Sequence, residues 1–384
     1  MIKLLFAHTM EVDDPKAAVA EILGQLEIEK NLLKNSVGIF SFHREFAANL
    51  VLEALDGALP FELAGISTIS SAVRENYGEF ILTLTVLTSD DVIFSAGMSD
   101  PLGDDINPPI EKLYNECAAK LPGKASFIFS CFPFSYEHSG EKFVASLDEI
   151  TGEIPNFGAV ALDIGIYYRK PLVSFGGFAY EDRAAIILFY GDVRPSYSLS
   201  WPANPHVIKG IAFLTKSDGH YITEINAMPA ANFFYNLELL EKGDYIRMSS
   251  IMLIVENPEF EEPVCMVLLG PLEDGSFFCS SSIPVGSCIS IVVLDREYAL
   301  SLTEKAVSTV KNRKDGVMLF SCSAYYIILE LDTFAGIKTI ESVLGDSVPY
   351  FFAYSGGEIC PSKAVKGGHK NRFHNASIIA LSFD

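Results

Sequence analysis

The sequence predicts an α/β or α+β protein built from layered mixed β-sheets flanked by helices, and three observations predict it. Short apolar runs of strand length alternate with helical stripes along most of the 384 residues. One order of elements, helix–strand–helix–strand–strand, occurs three times. The strands mostly precede or follow helices rather than each other, which favours helix-on-sheet layers over a pure sandwich.

The first unit opens at Asp13-Asp14-Pro15, with Asp14 as N-cap and Pro15 at the first helical position. Val19, Ile22, Leu23 and Leu26 form the helix's apolar face. Strand Val37–Phe42, a short helix through Leu50, Val51 and Leu55, and strands near Leu63–Ile69 and Phe80–Leu87 complete it. The second unit runs through helix Ile110–Leu121, strand Ser126–Phe132, helix Phe143–Ile150 and strands near Asn156–Ala161 and Ala184–Tyr190. The third has helix Glu304–Val310, strand Gly316–Cys322, helix Phe334–Leu344 and strands Val348–Tyr354 and Ala376–Phe383.

A shared phrase in the first strands supports the repeat: GIFSFH, FIFSCF and MLFSCS, which align Ser41, Ser130 and Ser321. Residues 192–300 interrupt the series with a hairpin turning at Ser217-Asp218-Gly219, a helix at Ala230–Leu240, and strands Met248–Val255, Val264–Leu269 and Cys288–Leu294. The expected packing sets the sheets of the first two units against each other. The third unit and the strands of 245–295 then form a C-terminal domain, with the division at 1–240 and 241–384.

Composition excludes several function classes. Twenty-eight Lys and Arg against 49 Asp and Glu give a net charge of −21, which repels phosphate backbones and anionic lipid. Nucleic acid and membrane insertion are therefore not expected. Mean hydropathy is +0.27, yet no stretch approaches the roughly 18 apolar residues of a spanning helix. The N-terminal MIKLLFAHT lacks a secretory h-region and cleavage site, so a cytoplasmic protein is expected. Seven scattered cysteines without a C-x-x-C predict neither a disulfide framework nor a structural zinc site. No phosphate loop, dinucleotide fingerprint, nucleophile elbow or H-E-x-x-H is present, so no cofactor, metal ligand or catalytic residue is assigned.

The dense polar text lies near the end: Tyr354-Ser-Gly356-Gly357-Glu358-Ile-Cys-Pro361, then Asn371-Arg372-Phe-His374-Asn375-Ala-Ser377. Glycines before a Glu let backbone approach a ligand closely or take a left-handed turn. Such a Glu can accept from an ammonium, and His374 with Asn375 can supply donor and acceptor. The same residues equally suit a turn and a braced loop.

G-G-E-I-x-P followed by F-H-N-x-[ST] resembles the C-terminal signature of the FIST domain family. Phe320-Ser321-Cys322, IAFLTKSDGHYITEINAMPA at 211–230 and PLEDGSFFCSSSIPVGSCISI at 271–291 agree with it, and SVGIFSFH, ELAGISTISSA and PNFGAVALD fit the N-terminal part more loosely. The resemblance covers nearly the whole chain. It implies a FIST N-type region at 1–240 and a FIST C-type region at 241–384. The implied function is a cytosolic sensory module for a small amino-acid-like metabolite; relatives are often joined to kinase, cyclase, chemoreceptor or F-box partners. Without room for such an output, this chain reads as a stand-alone receptor for a signalling partner. Two departures stand out. The Gly-Arg usual after Ser-Cys is Ser-Ala-Tyr-Tyr here, and Ser377 replaces the usual Thr. The missing Arg puts the family's carboxylate clamp in question, and Arg372 is a candidate substitute with no sequence signal that it points inward.

The ligand-binding residues expected on this basis are Gly356, Gly357, Glu358, His374, Asn375 and Ser321, with Glu358 at a solvent-reachable pocket mouth. Two other readings stay open: an enzyme of hydrolase or acyl-transfer type using Cys322 or Ser321 with His374 as base, and a protein-interaction scaffold.

Overall fold

The computed structural model describes residues 1–135, 138–163, 170–203, 207–241, 250–257, 259–269, 271–329 and 332–383. Its first unit contains β1 (Lys3–Thr9), α1 (Pro15–Leu26), α2 (Ile28–Asn31), β2 (Asn35–Phe42), α3 (Glu45–Ala48), α4 (Val51–Ala58), β3 (Leu63–Ser67), the hairpin β4 (Ser71–Val73)/β5 (Asn76–Gly78) and β6 (Leu82–Ser89). The second repeats it: β7 (Ile93–Met98), α5 (Asn107–Ala118), β8 (Phe127–Pro133), α6 (Gly140–Thr151), β9 (Asn156–Ala161), hairpin β10 (Val173–Phe175)/β11 (Phe178–Tyr180) and β12 (Ala185–Tyr190).

The third unit begins with β13 (Pro195–Ser200) and is interrupted by an insertion. That insertion holds β14 (Val207–Asp218), β15 (Tyr221–Ile225), β16 (Met228–Pro229), α7 (Ala230–Asn236), β17 (Ile251–Val255), β18 (Val264–Leu269), β19 (Phe277–Cys279) and β20 (Cys288–Val293). The unit resumes with α8 (Arg296–Ser308), β21 (Val317–Cys322), α9 (Ser323–Ile328), α10 (Ala335–Leu344), β22 (Tyr350–Ser355), hairpin β23 (Glu358–Lys363)/β24 (His369–His374) and β25 (Ile378–Phe383).

The three units build three sheets with one strand order: β1-β6-β2-β3-β10-β11, β7-β12-β8-β9-β23-β24 and β13-β25-β21-β22-β4-β5. In each, the two central strands are parallel and the closing strand is antiparallel to the first of them. The hairpins are exchanged cyclically. The first unit's hairpin completes the third sheet, the second unit's completes the first, and the third unit's completes the second. Sequence periodicity missed the hairpins of the first two units, because three-residue strands carry too few positions to show a period of two, and it also missed the longer β1, β7, β13, β23 and β24.

All three sheets enclose one core. Val37 and Ile39 from the first sheet, Phe127 and Phe129 from the second, and Met318 and Phe320 from the third pack together, with Phe129 and Phe320 5.6 Å apart and Phe127 and Phe383 5.5 Å apart. The intervening residues face each sheet's own helices: Phe40 and Phe42, Ile128 and Phe132, Val317 and Leu319. Burial on both faces explains the near-continuous apolar runs. The third unit thus shares the core of the first two rather than standing apart from a two-sheet pair. The strands of the shared phrase do hold equivalent places, but the equivalence slips by one in the first unit. Phe40, not Ser41, lies opposite Gly65 and faces the helices as Ser130 lies opposite Gly158.

The local expectations hold at the first helix cap and depart elsewhere, the helix expected at Glu304–Val310 running over Arg296–Ser308. The Asp14 carboxylate caps α1 by accepting from the N–H groups of Lys16 and Ala17 at 3.1 and 3.0 Å. The insertion's hairpin turns one residue later than expected, at Gly219-His220, since Asp218 still pairs with Tyr221. The helix at Ala230 ends at Asn236, and residues 248–249 of the expected strand lie outside the described residues. The insertion's strands run β14-β20-β17-β18-β19-β15, and β14 also pairs with β15, which closes a small barrel around Leu214, Leu253, Met266, Phe277 and Ile291. Met252, Cys265 and Val267, on its outside, pack on the third sheet's helical layer. Among the described residues no helix is long and apolar enough to cross a membrane.

Candidate functional site

The C-terminal signature folds as interior structure. Gly356 and Gly357 join β22 to β23 and clasp Val160 of β9: the Gly356 N–H donates to the Val160 carbonyl at 2.8 Å, and the Gly357 carbonyl accepts from the Val160 N–H at 2.9 Å. Gly357 has φ +138°, and a Cβ there would lie 2.5 Å from the Phe373 ring and 2.9 Å from the His374 carbonyl oxygen. Only glycine fits.

Glu358 starts β23 and is paired across the hairpin with His374. It was expected at a pocket mouth, but it is fully buried. Its carboxylate accepts from the Ser355 hydroxyl at 2.6 Å and from the Ser377 hydroxyl and backbone N–H. Burial outweighs those hydrogen bonds and pushes its carboxyl up to about 8. His374 meets the Ser362 hydroxyl at 3.0 Å and the Cys360 backbone; burial first, and Arg372 second, push it down to about 3. Asn375 donates to the Ser281 hydroxyl of the barrel at 3.3 Å. Ser321 lies beside Tyr354 in the ladder, and its carbonyl accepts from the Ser355 hydroxyl at 3.4 Å.

The six expected residues are therefore brought into one region, where they brace the hairpin. The nucleophile–base geometry is not formed: His374 makes no hydrogen bond to Cys322 or Ser321, and burial pushes the Cys322 thiol up to about 12. No cluster of three or more His, Cys, Asp or Glu among the described residues could hold a metal ion.

One residue before His374 in the chain, the surface opens into a cleft of about 750 Å³ between the three-sheet body and the barrel. That lies within the range of small-molecule sites. None of the six residues lines it. Its body wall is α6 and the outer strand β24; its barrel wall comes from β17, β18 and residues 282–287. Arg372 sits in it, 6% exposed, with its guanidinium 4.3 Å over the Phe260 ring. Nη1 donates to the Glu262 carbonyl at 2.8 Å, while Nη2 is buried with no hydrogen-bond partner. Burial lowers the guanidinium's affinity for its proton to about 10, with Glu141 the largest opposing charge. Glu141, at the start of α6, accepts from the Ser281 hydroxyl and the Ser282 N–H, and burial raises its carboxyl.

Farther along α6, Asp148 accepts from the Asn371 amide at 2.5 Å and is pushed up to about 6 by burial. Asn371 also donates to the Ile154 carbonyl at 2.8 Å and accepts from the Asn156 N–H at 2.8 Å, which fixes β24 against α6. Sequence reading raised Arg372 without a direction, quoted Asn371 in the polar text without a role, and passed over Glu141 and Asp148. The available signal was the spacing of Glu141 and Asp148, seven apart and so on one face of a helix.

Residues 36–228 match the family model of the FIST N domain, and residues 234–361 match that of the FIST C domain. No curated protein matches the chain.

Proposed function

Because the chain belongs to the FIST family, whose domains are small-ligand sensory domains of signalling proteins, we propose that it is a cytoplasmic receptor that takes an amino-acid-like metabolite into the cleft between β24 and the barrel and presents its occupied state to a signalling partner. The observation that carries the reading is Arg372. A buried guanidinium with a free N–H edge is costly unless an anion completes it, and a carboxylate is the matching planar acceptor. Glu141, beside it, suits an ammonium. Together they fit a zwitterion. Glu358, His374 and Asn375 serve this site from behind, by fixing the hairpin on which Arg372 stands.

Thermal-shift and calorimetric titration test this with L-amino acids, 2-keto acids and amines lacking a carboxylate. An amino acid at 100 times its Kd adds about 2.7 kcal/mol of apparent stability. Arg372→Met lowers its affinity by roughly 1.5–3 kcal/mol while circular dichroism stays native. Binding that survives Arg372→Met unchanged, or stabilisation by carboxylate-free amines alone, removes the cleft as the site.

A further inference from the structure

The cleft has a second anionic end. Glu141, Val144, Ala145 and Asp148 occupy positions i, i+3, i+4 and i+7 of α6, and all four line the cleft. Two turns of helix set the two carboxylate-bearing positions about 10 Å apart along the axis. Between them the wall is apolar, and on the barrel side the cleft reaches Val255, Val264 and Met266, which belong to the barrel's own core.

Neither carboxylate has an ion-pair partner among the described residues. Lys370, the rim's cation, pairs with Glu153 at 3.6 Å and Glu259 at 3.8 Å instead. Asp148 keeps one neutral partner, the Asn371 amide, on one oxygen. The opposite charge the site does hold is Arg372, at the Glu141 end, with its unpartnered Nη2.

We infer that the ligand is an α-amino acid with a cationic side chain of lysine or arginine length. Its α-carboxylate meets Arg372, its α-ammonium Glu141, its methylene stem the apolar stretch, and its terminal cation Asp148. An extended lysine or arginine carries its two cationic ends about 7–8 Å apart, a span that hydrogen bonds of about 2.8 Å leaning outward at each end match to carboxylate-bearing positions about 10 Å apart. A neutral side chain leaves Asp148 desolvated opposite an apolar group, which penalises it. This inference rests on the cleft being the ligand site.

Calorimetric titration of the full chain with L-arginine, L-lysine, L-citrulline, L-norleucine and agmatine tests it, alongside Asp148→Asn, which retains shape and an acceptor for Asn371. Arginine and lysine are expected to bind about tenfold or more tighter than citrulline and norleucine. Agmatine, which lacks the carboxylate, is expected to bind at least as weakly as they do. Asp148→Asn is expected to collapse the arginine-to-norleucine ratio to within about threefold. Equal affinities for arginine, citrulline and norleucine in the wild type overturn the cationic specificity and leave the cleft reading standing. A preference for arginine that is undiminished in Asp148→Asn does the same. Absence of binding by every amino acid, with Arg372→Met silent, overturns both.

Discussion

The hydroxyl of Ser377 donates to the carboxylate of Glu358, nineteen residues earlier in the chain and wholly inside the protein. With Ser355 on the other oxygen, this ties the start of β23 to the chain entering β25. Glu358→Ala leaves the Ser377 hydroxyl and N–H without their acceptor and the Ser355 hydroxyl with only the longer contact to the Ser321 carbonyl, and is expected to cost about 3 kcal/mol in denaturant unfolding. Loss of ligand affinity with unchanged stability would contradict this bracing role.

The same cluster has a pH signature. Glu358 is raised to about 8 when folded, so it withdraws stability as pH climbs from its ordinary carboxylate value, near 4.5, to 8. His374 is lowered to about 3, so it withdraws stability as pH falls from about 6.5 to 3. The two effects oppose each other between 4.5 and 6.5, where their sum is flat. Melting temperatures of wild type and Glu358→Gln from pH 4 to 9 check this. The variant is expected to lose the decline between pH 6.5 and 8, and an identical decline would refute the assignment.

Gly357→Ala is expected to destabilise by about 2 kcal/mol or more. The added methyl meets Phe373 and the His374 carbonyl at a φ that only glycine adopts readily. Gly103→Ala, also at positive φ but with open space around it, is the control and should cost less. Chemical unfolding of the two separates collision from backbone strain.

Asn371→Ala is expected to lose about 3 kcal/mol, since the Asn156 N–H, the Ile154 carbonyl and Asp148 lose a shared partner at once. Asn371→Asp brings a second carboxylate against Asp148, and its deficit should grow as pH rises through 6. A pH-independent deficit would place the two side chains apart.

All seven thiols are free, and six are buried. Burial raises Cys131 and Cys322 to about 12 and Cys117 to about 11. Aromatic disulfide reagent at pH 8 should label Cys288 first in the native protein and all seven cysteines after unfolding. Rapid native labelling of Cys322 would revive the nucleophile reading.

Elements long enough to show a period were legible. The cap at Asp14, the stripe of α5 and the three central strand pairs could be placed because each carries several turns or alternations of pattern. Whether the FIST signature forms a loop or a strand was not legible. Pro361, Asn371 and the glycines read as turn chemistry, yet β23 and β24 are buried strands whose polar side chains find partners in α6 and the barrel, up to 223 residues away. Arg372 shows the same limit. Its residue type announced anion chemistry, but its direction is set by Phe260 and Glu262, which no local pattern links to it.

The cyclic exchange of hairpins also imposes an order in time on a chain made from its N-terminus. The first sheet can be complete once Tyr180 has emerged, but the second waits for His374. The hairpin at Ser71–Gly78 is made early, and its partner strand, Tyr350–Ser355, comes near the end. Until then the nascent protein carries an orphan hairpin and an open edge at β9, the kind of surface that chaperones cover and that pairs wrongly at high concentration. Slow, late and nearly simultaneous closure of two sheets is the cost of having each third of the chain finish another.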